Sequence, residues 1–122
     1  MSCPFCNISK DQIIKENKFV YAIYDKYTVN RGHILIITKE HIKDYFEASP
    51  EVKKSLFGLM EECKIYLDDK YNPDGYNIGL NCGKEAGQTI MHLHLHLIPR
   101  YNGDIEDPTG GVRGVIPEKR VY

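Results

Sequence analysis

The sequence predicts an α+β domain: a mainly antiparallel sheet with one long helix and a short helix packed on one face. Three observations carry this. Residues 92–98 read His-Leu-His-Leu-His-Leu-Ile. Side chains of a strand point alternately to opposite faces, so His92, His94 and His96 share one face, and Leu93, Leu95 and Leu97 the other. Residues 49–71 carry an apolar stripe at helical spacing, residues 19–24 are rich in β-branched and aromatic residues, and residues 33–38 form a short apolar run.

The elements follow in chain order. Residues 9–16 read as a short helical turn ended by Asn17, and Phe19 to Tyr24 as a strand with Asp25 at its end. Asn30-Arg31-Gly32 is a turn, and His33 to Thr38 a fully buried strand. Lys39 to about Ala48 places Ile42, Tyr45 and Phe46 at helical spacing, which predicts the short helix. Ser49-Pro50-Glu51 is a helix start, with Ser as N-cap, Pro in the first turn and an acid beside it. Val52, Leu56, Leu59, Met60, Cys63, Tyr66 and Leu67 then form one stripe to about Tyr71, read as core packing. Asn72-Pro73-Asp74-Gly75 is a turn, Tyr76 to Leu80 a strand, and the histidine strand follows a loop. With no repeat, linker or low-complexity segment, residues 1–122 read as a single domain.

Composition narrows the partners. At 122 residues and 42% hydrophobic content, the chain is long enough for a core. Sixteen basic and seventeen acidic residues leave a formal charge of −1, which gives no electrostatic footprint for long nucleic acids or anionic membranes. The first residues do not read as a signal peptide, and no apolar run nears the roughly 20 residues needed to span a bilayer. A cytosolic protein is expected, and there cysteines are more often metal ligands or buried thiols than disulfides. Cys63 is read as packing and Cys82 is given no role. Cys3 and Cys6 form a C-x-x-C pair without the strand and helix of a redox motif around it, so zinc is the better reading.

The histidine face has no packing use, and imidazole serves as nucleophile, acid, base or metal ligand near neutral pH. The preceding loop, residues 81–89, is rich in small and amide residues. Its Asn81, Gln88 and Thr89 can hydrogen-bond phosphate oxygens. No GxxxxGKS/T or GxGxxG string occurs, so this is neither a triphosphatase phosphate loop nor a dinucleotide fingerprint.

Residues 87–100, Gly-Gln-Thr-Ile-Met-His-Leu-His-Leu-His-Leu-Ile-Pro-Arg, resemble the signature of the histidine triad superfamily of nucleotide hydrolases and transferases. The likeness runs from Cys3 to at least Arg100 and includes Asp25, eight residues before His33, and Asn81, eleven before His92. The resemblance implies His94 as a nucleophile that forms a nucleotidyl-histidine. The backbone carbonyl of His92 would orient it, and His96 and His33 would hold phosphate and leaving-group oxygens. It implies Gln88, Thr89 and Asn81 around the α-phosphate and Asp25 on the ribose hydroxyls. Phe5, Phe19, Ile23 and Leu35 are candidate walls of a base pocket. It further implies structural zinc on Cys3, Cys6, His41 and His92, no catalytic metal, a homodimer, and a C-terminal tail near the partner's site. That last point singles out Arg113.

The expected activity is attack on the α-phosphate of adenosine 5′-phosphate derivatives. Glu85-Ala86-Gly87-Gln88 and the Pro99-Arg100 ending resemble the dinucleoside polyphosphate branch of that superfamily more than the phosphoramidase branch, so dinucleoside polyphosphates are the favoured substrates. The alternatives are an adenosine phosphoramidase, which cleaves AMP-amine compounds, and a nucleotide-binding module with incidental turnover. A three-histidine metalloenzyme would need ligands that converge, which residues two apart on one strand seldom do.

Overall fold

The computed structural model describes residues 3–122. Five strands form one antiparallel sheet, β1 (Ile13–Glu16), β2 (Val20–Tyr24), β3 (Ile34–Thr38), β4 (Gly75–Leu80) and β5 (His94–Arg100), in the spatial order β1-β2-β3-β5-β4. One long helix, α1 (Pro50–Tyr71), covers one face. No helix among the described residues is long and apolar enough to cross a membrane.

Helix α1 begins and ends where its sequence places it. The Ser49 hydroxyl accepts the Val52 N–H, Pro50 opens the first turn, and Asn72 closes the helix in the left-handed conformation at φ 50°. Val52, Leu56, Leu59, Met60, Cys63 and Leu67 are buried against Val20, Ala22, Ile34, Ile36, Leu93, Leu95 and Leu97. Each large apolar side chain so buried contributes about 1.5–3 kcal/mol. Inside this layer the Cys63 thiol is pushed up to about 12 by burial, so it is an inert packing group.

The opposite face carries a smaller cluster of Phe5, Tyr21, Ile23, Leu35 and Ile37. β3 is buried throughout, with alternate residues feeding the two layers, whereas β5 alternates buried leucines with half-buried His94, His96 and Ile98. The sheet therefore separates a dry layer from a chemically equipped one.

Three local expectations are corrected. Residues 9–16 are not one helical turn: Ser9 and Gln12 close a single 3-10 turn at Lys10–Gln12, and the chain then extends into β1. The adjacent Ile13 and Ile14 go to opposite faces, a period-two pattern no helix supplies. Residues 39–48 hold only a 3-10 turn at Tyr45–Glu47, capped by Asp44. The reason lies in the backbone. The Ile42 carbonyl accepts the Leu93 N–H at 2.7 Å and the Lys43 carbonyl accepts Gln88 Nε2 at 2.7 Å, so neither is free for a helical ladder. Finally, β5 starts at His94, because His92 lies in a tight turn with its N–H on the Ile90 carbonyl.

Candidate functional site

Two clusters of histidines lie on the sheet face away from α1. The first joins both chain halves. The 3-10 turn Pro4–Cys6 brings Cys3 and Cys6 beside His41, which follows β3, and beside the fully buried His92. Their four ligand atoms all lie within 4.8 Å of one another. Cys3 Sγ is 3.4 Å from His92 Nδ1, Cys6 Sγ is 3.6 Å from it, and Cys6 Sγ is 3.2 Å from His41 Nδ1. A tetrahedral zinc ion, about 2.3 Å from sulfur and about 2.0–2.1 Å from nitrogen, spans S···N edges of about 3.5 Å. The ring of His92 is aimed for it: its Nε2–H donates to the Thr38 carbonyl at 2.8 Å, which leaves the Nδ1 lone pair facing the sulfurs. The donor set and its outer partner fit a structural metal.

The second cluster is Asp25, His33 and His96, with ligand atoms as close as those of the first. Here the hydrogen bonds assign protons. The Val29 N–H donates to His33 Nδ1 at 3.1 Å, so neutral His33 carries its proton on Nε2. His33 Nε2 is 3.0 Å from His96 Nδ1 and 3.4 Å from Asp25 Oδ2, so its proton lies between them. With Nδ1 accepting, neutral His96 carries its own proton on Nε2. Beside it, His94 Nδ1–H donates to the His92 carbonyl at 2.7 Å and leaves Nε2 bare. The two neighbouring rings, with centroids 5.3 Å apart, thus present a lone pair and an N–H donor.

Burial favours the neutral form of His96, His33 and His92. It pushes His96 down to about 4, helped by His94 and His33 and opposed by Asp25. Burial also lowers His33 against the pull of Asp25. His92 is lowered chiefly by burial too.

His94, His96 and Asp25 open onto a cavity of about 570 Å³, also lined by Phe5, Ile23, Leu35, Ile90, Asn81 and Thr89. Such a volume holds a nucleotide-sized ligand. Asp25 reaches it from the end of β2, where its Oδ1 also accepts the Tyr27 N–H.

Most predicted residues converge here, and four do not line the cavity. His33 is buried behind His96, so it reaches the site through that ring and not by touching phosphate oxygens. Phe19 packs on the helix-side layer, because it lies in the turn before β2, outside the strand alternation. Gln88 is buried. Its Oε1 accepts the Gly83 N–H and its Nε2 donates to the carbonyls of Lys43 and Ile90, so it closes the loop on itself. Arg113 donates to the carbonyls of Lys119 and Arg120 and stacks on Tyr122, within the tail and away from this chain's cavity. Sequence reasoning missed Val29, the Thr38 carbonyl and Tyr21. The first two act through backbone groups that carry no side-chain signature. Tyr21 was legible as the pocket-face neighbour of Ile23 by period two.

The chain matches the family model described as HIT domain over residues 7–103. It is 36% identical over 104 residues to Protein hit of Bacillus subtilis, covering 82% of this chain and 72% of that protein. It is 33% identical over 106 residues to adenosine 5′-monophosphoramidase hnt1 of Schizosaccharomyces pombe, covering 84% and 77%. Among solved structures, a hypothetical histidine triad nucleotide-binding protein of Sulfolobus tokodaii superposes with a TM-score of 0.78 at 36% identity, covering 86% of this chain and 73% of that one. A Zn-bound histidine triad family protein of Mycobacterium smegmatis gives 0.70 at 35% identity, covering 75% and 67%. The Plasmodium falciparum diadenosine triphosphate hydrolase, solved with Cyclomarin A, gives 0.71 at 31% identity, covering 82% and 68%. With the family model spanning most of its length and the histidine-centred cavity in place, the chain belongs to the HIT domain family.

Proposed function

We propose that this enzyme hydrolyses dinucleoside polyphosphates by attack on the α-phosphate of an adenosine 5′-phosphate unit. The observation that carries the attack on the α-phosphate is the pairing of a bare Nε2 on His94 with an N–H on His96 in one cavity. His94 Nε2 bonds to phosphorus as the P–O bond to the polyphosphate breaks, and the leaving oxygen takes the bond's electron pair. His96 Nε2–H supports that oxygen, and the His33 proton behind it supports His96. The new charge on His94 is met by its Nδ1–H bond to the His92 carbonyl. Water then cleaves the nucleotidyl-histidine, releasing the nucleoside monophosphate and freeing the ring. Asp25 receives the ribose hydroxyls, while Asn81, Thr89 and the loop that Gln88 holds surround the phosphate.

The named diadenosine triphosphate hydrolase favours a polyphosphate substrate. The named monophosphoramidase supports the alternative, an AMP-amine substrate handled by the same residues. Rapid-quench trapping with nucleotide-labelled diadenosine polyphosphate tests the reading. Label should appear on His94, and label on another residue would overturn it. Rates on both substrate classes decide the leaving group.

Cys3, Cys6, His41 and His92 hold one structural zinc, a reading supported by their geometry and by the Zn-bound relative. Thiolate ligands suit the reducing cytosol. A second copy would pair along the outer edge of β4, where Ile78 and, on α1, Ile65 are exposed. Sedimentation would read a dimer mass.

A further inference from the structure

Phe5 stands between the two cysteines of the metal cluster and is buried. Its ring meets the His94 ring edge-on, with centroids 4.9 Å apart and planes at 66°. It also meets the His92 ring at 6.0 Å and 86°. Two further contacts fix its backbone. The Cys6 N–H closes the turn on the Cys3 carbonyl at 3.0 Å, and the buried Tyr21 hydroxyl donates to the Phe5 carbonyl at 2.5 Å.

His94 needs such a flank. Its bond to the His92 carbonyl is local, two residues back on the same chain, and holds only one point of the ring. The ring can still swing about that point, whereas a reacting atom must be held to within about 0.5 Å and 10–20°. His96 bounds one side of the ring, at a centroid distance of 5.3 Å. Phe5, brought from the other end of the chain, is a second.

We propose that Phe5 is a positioning residue for His94, set in place by the Cys3–Cys6 turn and the Tyr21 hydroxyl. This rests on the reading of His94 as nucleophile. It gives Phe5 a task beyond walling the cavity, and the metal cluster a task beyond stability. Two routes run from that cluster to His94: the carbonyl of His92 and the ring of Phe5.

The experiment uses the zinc-loaded protein, labelled with 15N at histidine, and pairs long-range 1H–15N spectra of His94 with steady-state kinetics on a diadenosine polyphosphate. Wild type should show one His94 tautomer, protonated at Nδ1. Phe5→Leu keeps apolar bulk but removes the ring edge. It should average the His94 signals and lower kcat about tenfold, with KM changed less than about threefold. Phe5→Tyr should restore both. Tyr21→Phe removes one hydroxyl that does not line the cavity. It should move kcat the same way, about threefold, with KM unchanged, and it serves if Phe5→Leu does not fold. An unchanged His94 spectrum in these variants, or a loss confined to KM, overturns the proposal. Removing zinc should average the same signals, and an unaltered spectrum would sever the metal cluster from His94. If instead His94→Ala retains turnover, the nucleophile reading fails, while the spectra still decide whether Phe5 holds the ring.

Discussion

The two histidine clusters are built from similar groups at similar spacing, yet a single backbone contact makes them opposites. In the Cys3–Cys6–His41–His92 cluster, the Thr38 carbonyl takes the outer proton of His92 and turns a lone pair toward the sulfurs. In the Asp25–His33–His96 cluster, the Val29 N–H occupies the outer nitrogen of His33 and forces a proton into the centre. A metal at His33 Nε2 would have to displace that proton and set an N–H against the Val29 N–H. The first cluster is arranged for a cation and the second for a proton. Ligand-atom proximity alone, within 4.8 Å in both, does not separate them.

The largest expected effect lies where the proton cluster meets the substrate. His94→Ala should cost roughly 10⁴–10⁶-fold in turnover, while fluorescent-nucleotide titration shows binding retained. His96→Ala removes the N–H donor and should cost about 10²–10⁴-fold in single-turnover rate. A loss equal to that of His94→Ala would merge their roles.

Cys3→Ser acts on the other cluster. Purified wild type should carry about one zinc per chain. The variant should carry less and melt lower by calorimetry, and unchanged melting would show that the cluster adds nothing to stability. Asp25→Ala should weaken ribonucleotide binding by about 1–3 kcal/mol and leave a 2′,3′-dideoxy analogue little affected. Equal loss for both would place Asp25 with His33 and not with the sugar.

Acid should expose the buried neutral rings. The unfolded chain protonates His96 near the ordinary value of 6.5, the folded one only at about 4. Between those values the unfolded state binds more protons, so stability falls as pH drops through that window and is present in full above it. Urea titrations across pH 4–7 should show this limb, and it should shrink in His96→Asn. The smallest effect is at Arg113, whose guanidinium is taken up by its own tail. Arg113→Ala should change kcat/KM by less than about twofold for either substrate class. A tenfold loss confined to polyphosphates would return the tail to a site, that of a partner subunit.

Much of this was legible from residue order. Helix α1 is announced by Ser49, Pro50 and its stripe, because a long amphipathic helix carries its instructions in its own side chains. The β5 alternation sorted leucines from histidines for the same reason. β1 and the 39–48 segment were misread because the partners deciding them are remote: Ile13 and Ile14 are placed by β2, and Ile42 and Lys43 by residues 88–93. At the site the motif named the residues but not their protons. Whether His33 offers a lone pair or an N–H depends on the backbone of Val29, which any residue other than proline could supply.

Cobalt titration of the metal-free protein tests the division between the clusters most directly. The account predicts one equivalent bound, with sulfur-to-cobalt charge-transfer absorption that Cys3→Ser removes, and no second site as cobalt is raised further. A second equivalent without sulfur bands, abolished by His33→Asn, would contradict it.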